Sequence, residues 1–224
     1  MIPPDVIEGV LNLAAQAVAA GFGAWAAFRL EAARQARDAI AAQADSLREA
    51  LFTLISQRNF LLNLDREVLQ EHRSSPIRHL ELPPLAINPG YQPLQLAKLT
   101  FLLKSKKSGL ISELELADFR FQAVVSVLDR RNRLHLEMQS RIDASRPTGP
   151  EIPVDALPGI VGRSVITQLR QTTDGLYELN ASALATNRET YDALASFLRA
   201  TFPKEPIPLV EERAPQGSLP SAAG

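Results

Sequence analysis

The placement of proline constrains this chain more than any other feature. All 16 prolines fall at the N-terminal edge, in 76–93, in 147–158 or after position 202, so 5–75, 94–146 and 159–202 contain none. A proline inside a helix removes a hydrogen bond and clashes with the preceding turn, at about 3 kcal/mol or more, so long helices leave such gaps behind. Between Ala24 and Ser75 glycine is absent as well, and the segment is dense in Ala, Leu, Arg, Gln and Glu, all good helix formers. One helix from about Asp5 to Arg73 is therefore predicted.

Apolar spacing supports the same reading. Leu114, Ala117, Phe121, Val124, Leu128, Arg131, His135, Met138 and Ile142 follow alternating steps of three and four, which is a heptad seam. Val165, Leu169, Thr172, Leu176, Leu179 and Ala183 repeat it and then shift to Tyr191, Leu194 and Leu198. Thr186 and Glu189 have capping-box spacing at that shift, so a break at 185–187 is the alternative to one long helix. The first stretch offers Leu47, Leu51, Leu54, Arg58, Leu61, Asp65 and Val68, with Ile55, Leu62 and Leu69 alongside. With no β-alternating run present, the expected fold is all-α. A single transmembrane helix continues into an antiparallel bundle of long helices, with a short helix at about 94–104 covering one end.

The membrane expectation comes from Gly9 to Phe28, which holds no charged residue and is followed by Arg29, Arg34 and Arg37. Twenty residues at about 1.5 Å each match the roughly 30 Å hydrocarbon core of a bilayer. Asn12 and Gln16 break the apolar pattern, while Trp25 and Phe28 beside Arg29 stand where aromatic rings favour the headgroup level. Arginines only on the C-terminal side predict an N-terminus outside and the remainder in the cytoplasm of a bacterium, anchored in its inner membrane. A cleavable signal peptide is the competing reading, but its leading region should be basic, and here Asp5 and Glu8 make it acidic. Small residues four apart, such as Ala17 and Gly21 or Ala19 and Gly23, would let two such helices approach closely.

The domain plan is then a span at 1–30, a bundle at 31–202 and a proline-rich tail at 203–224 expected to be disordered. The connector 74–93 combines five prolines with Ile77, Leu80, Leu82, Leu85 and Ile87, too much apolar surface for a solvated linker. It reads as a stiff strap on the bundle or as a partner-binding segment. The chain has no cysteine, which excludes disulfides, thiolate catalysis and cysteine-based zinc sites. A net charge of −1 removes the broad basic field of a nucleic-acid binder, so no nucleic-acid partner is expected.

Catalytic and metal signatures are not found. His135-x-Glu137 is half of a zinc-deaminase signature without its cysteines, and on a helix the two residues point about 200° apart. Gly159-x-x-Gly162-Arg163-Ser164 lacks the lysine and preceding strand of a phosphate loop. What stands out is polarity on the seams: Arg58 and Asp65 interrupt one stripe, Arg131 and His135 another, and Asn59 and Asn132 follow the two arginines. A buried charge needs a partner, so these six residues are expected to form a polar layer that fixes register or holds a small ligand, with Arg131 paired to Asp65 or Asn59. Lys104, Lys106 and Lys107, three of the five lysines, join Trp25 and Arg29 as candidates for the membrane surface. Without cofactor or catalytic motif, the expected role is a membrane-anchored interaction or scaffold module, with the lipid bilayer and either an unknown protein or another copy as partners. The alternatives are a membrane-anchored ligand sensor and a soluble helical oligomer.

Overall fold

The computed structural model describes residues 4–85, 92–105, 107–145, 152–203 and 206–208, with side chains from residue 20 onward. Every regular element among them is helical. The long helices are α1 (Pro4–Asn63), α3 (Gly109–Ser145) and α5 (Arg163–Thr201); α2 (Arg78–Glu81) and α4 (Leu157–Val161) are short, and Leu96–Lys104 is a 3₁₀ helix. The chain divides into two compact units, 1–45 and 46–224.

In the first unit α1 presents apolar side chains to solvent, with Phe22 68% and Phe28 77% exposed. The Phe22 and Trp25 rings lie 5.7 Å apart, and the Arg29 guanidinium sits 5.4 Å from the Trp25 ring centre. Arg34 and Asp38 pair at 3.9 Å, one turn apart on the helix surface. Among the described residues no helix is long and apolar enough to cross a membrane. The expected span reaches outside them, because side chains 9–19 are not described.

The second unit is a three-helix bundle whose directions follow from its contacts. Gln57 bonds Asp118 and the Phe60 ring meets Phe121 edge-on at 5.7 Å, so α1 and α3 run parallel. Asn187 reaches the Leu54 carbonyl and Asn180 that of Leu61, so α5 is antiparallel to α1. Arg120 on Thr186 and Arg131 on Thr173 set α5 against α3 in the same sense. The expected antiparallel bundle thus needs correction, since only α5 runs against its neighbours. The reason is the connector, which returns along the bundle as an extended strap. Leu82 and Pro83 lie level with Arg131, Leu85 with Asn132, Leu94 with Asp118, and Lys98 with Glu49. Residues 86–91 of that strap lie outside the described residues.

Most predicted seam positions are inside. Leu114, Ala117, Phe121, Val124, Leu128, Arg131, His135 and Met138 are all buried, and Ile142 is half-buried. On α1 the stripe holds through Leu61 and then shifts, because Leu64–Leu69 is π-helical. A π turn takes up an extra residue, which rotates later side chains around the axis. Leu64 and Leu69 are buried in consequence, while Asp65 and Val68 are only half-buried. α5 runs unbroken through 185–187, and Thr186 accepts a hydrogen bond from Arg120 rather than capping a new helix. Gly162 separates α4 from α5 at φ +99°, a conformation that side chains disfavour. The Gly159–Gly162 motif is therefore a helix junction. Most of the tail lies outside the described residues; within them, the Tyr191 hydroxyl donates to the Pro208 carbonyl.

Candidate functional site: the polar layer beneath the strap

Arg131 is the largest fully buried side chain, at 0% exposure. Its Nη1 donates to the Pro83 carbonyl at 2.9 Å, Nη2 to the Leu82 carbonyl, and Nε to the Thr173 hydroxyl at 3.3 Å. Nη2 also lies 3.4 Å from His135 Nδ1. A guanidinium only donates, so that histidine nitrogen accepts and the ring proton resides on Nε2. Four of five guanidinium N–H groups thereby meet acceptors of the protein itself. Burial pushes the Arg131 pKa down to about 10, opposed by Tyr177, and the group stays cationic at neutral pH. Burial and the adjacent Arg131 charge push His135 below its ordinary value, which favours a neutral ring.

Asn132 extends this clamp by one residue. Its Nδ2 donates to the Leu85 carbonyl at 2.6 Å and its Oδ1 accepts the Leu85 N–H at 3.1 Å. The side-chain amide thus does for the strap what a neighbouring β-strand would do. Further along, Asp118 Oδ1 accepts both the Leu94 N–H at 3.3 Å and Gln57 Nε2 at 2.7 Å.

The expected partners of Arg131 are elsewhere. Asp65 pairs with Arg73 at 2.8 Å, and Asn59 is exposed. The π-helical segment carries Asp65 off the seam, so carbonyls of the strap take the place of a carboxylate. Arg58 is buried in α1. Of the six candidates, Arg131, Asn132 and His135 come together, and Asn59 and Asp65 stand apart from them. Trp25 and Arg29 stack on each other in the first unit. Lys104 and Lys107 are exposed, and Lys106 lies outside the described residues. His72 lies 3.7 Å from Glu81, and His79 is buried. Among the described residues no cluster of metal-ligating side chains forms.

Sequence reasoning missed Thr173, Asn180 and Asn187, which are buried on α5 where Thr172 and Leu179 were expected. Their seven-residue spacing was the available signal. The Thr173 hydroxyl accepts from Arg131 of α3, Asn180 and Asn187 donate to the Leu61 and Leu54 carbonyls of α1, and the Oδ1 atoms of both asparagines are buried without a partner.

These features define an all-α protein of three long helices closed by a return strap. Comparison with protein-family models, characterised proteins and solved structures yields no match for the chain.

Proposed function

We propose that this chain is a membrane-anchored helical bundle of the bacterial inner membrane, with its N-terminus outside and its bundle in the cytoplasm. It acts by binding a partner protein or a second copy, without catalysis. The observation that carries the anchoring is the row of exposed Phe22, Trp25 and Phe28 on α1, ending at Arg29. Contiguous exposed apolar surface on a helix calls for a partner, and a bilayer matches an uncharged stretch of this length. An interaction role is supported by Leu116 and Phe119, one turn apart and exposed on α3. The polar layer offers little to a small ligand, since the Arg131 donors are occupied by Leu82, Pro83, Thr173 and His135.

Fractionation of cells expressing the full chain, with high-salt and carbonate washes, tests the anchoring. The protein is expected in the membrane pellet, and recovery in the supernatant overturns the proposal. External protease on intact cells tests orientation, and cleavage within 76–93 would reverse it.

A further inference from the structure

A groove of about 420 Å³ opens between α1 and the strap at 92–95. Glu49, Phe52, Thr53 and Ser56 form one wall, brought to a single helix face by steps of three and four, and Gln92 and Gln95 stand on the other. The groove is neutral, since Lys98 Nζ holds the Glu49 carboxylate at 2.8 and 3.1 Å. Phe52, 65% exposed, offers a bare aromatic face.

Gln57 also lines the groove, and its amide is asymmetric in use. Nε2 donates to Asp118 Oδ1 at 2.7 Å, and a carboxylate oxygen can only accept, which fixes the amide orientation. Oε1 is then the remaining acceptor, and it is buried with no hydrogen-bond partner. Such an atom is costly to leave unmatched.

We propose that this groove binds a short neutral saccharide. Sugar hydroxyls both donate and accept, as do the primary amides and hydroxyls that face the groove. The C–H face of a sugar ring is apolar and packs on the electron-rich face of an aromatic ring, here Phe52. The volume falls in the range of small-ligand pockets. An extended peptide would need apolar pockets for alternate side chains, whereas Phe52 and Pro93 are the groove's apolar lining. The proposal does not rest on membrane anchoring.

The test uses the full chain in a detergent without a sugar headgroup, probed with maltose, trehalose and diacetylchitobiose by saturation-transfer NMR and calorimetry. At least one should bind with Kd of about 1 mM or tighter. Phe52→Ala should weaken it at least about tenfold, Gln95→Ala severalfold, and the exposed control Leu136→Ala not at all, with all variants melting like the parent. Absence of binding by every saccharide overturns the proposal. So does undiminished binding by Phe52→Ala, or capture of a neutral peptide instead.

Discussion

Replacing Arg131 with alanine removes the group that holds the strap to the bundle. Two strap carbonyls, Leu82 and Pro83, and the Thr173 hydroxyl lose their donor. A buried acceptor left unpaired costs about 1–3 kcal/mol, the carbonyl of the exposed Pro83 less, and the void left by a large buried side chain adds to that. Against this stands relief from burying a cation. Depression of the pKa from 12.5 to about 10 corresponds to about 3 kcal/mol returned when the charge is deleted. The balance is a loss of about 3 kcal/mol, which for a bundle of this size lowers Tm by roughly 6–12 °C. Circular dichroism melts give the size, and hydrogen exchange gives the place: amides of 78–85 should exchange faster while those of α5 exchange in step with global stability. Arg131→Met, which keeps bulk and loses the donors, should fall between alanine and parent. A variant that melts within about 1–2 °C of the parent, or whose strap amides are unchanged, refutes the clamp.

The neutral forms of His79 and His135 fit the fold, so acid should weaken it. His135 is held below its ordinary 6.5 by burial and Arg131; His79 is held down by burial, then Arg170, Arg131 and Arg78, with Asp174 opposing. The unfolded chain takes up the proton first, so this stability is complete above pH 6.5 and lost as pH falls. Tm should drop from about pH 7 to about pH 5, and His135→Gln should drop less; equal slopes would exclude His135. Gly162→Ala forces a side chain into φ +99° with Cβ 3.4 Å from Arg141 Nη1. A loss of about 1–3 kcal/mol is expected in urea titration, and an unchanged midpoint would show that the α4–α5 junction relaxes freely.

The sequence was most legible where one residue meets one residue. The α3 seam from Leu114 to Met138 could be read from spacing and the strap of 74–93 in part from proline content, since 82–85 and 92–94 are extended while Arg78–Glu81 is a helix not expected from the sequence. The π-helical segment was not legible, since Leu64 to Leu69 has the same helix formers as the turns before it, and the extra residue per turn is set by packing. That one shift moved Asp65 off the seam and removed the expected partner of Arg131. On α5, an uninterrupted α-helix, ordinary steps of three and four put Thr173 and Asn180 inside in place of Thr172 and Leu179. Backbone acceptors left no trace either: nothing in Leu82-Pro83 as residue types announces that their carbonyls will face an arginine. A polar residue on a seam thus identified where a partner was needed, while its identity depended on the path of the strap.

Parallel α1 and α3 account for much of what looks like a site. The chain returns along the bundle between them, and residues 82–85 and 92–94 of that return are extended, where backbone groups find few partners within their own segment. Arg131 and Asn132 at one level and Asp118 at another supply those partners, so three polar side chains of α3 follow from the connection itself. The same geometry explains the groove. A helix with side chains is about 10 Å across, whereas an extended strand claims about 5 Å beside its neighbour, so a strap in the place of a fourth helix leaves one side of α1 uncovered. The uncovered face is Glu49, Phe52, Thr53 and Ser56, and it is polar apart from Phe52. A strap there could have been matched by an apolar α1 face folding tightly onto it. The face instead keeps hydroxyls and an aromatic ring beside open space, which is the composition a hydroxyl-rich ligand needs and a packed helix interface does not.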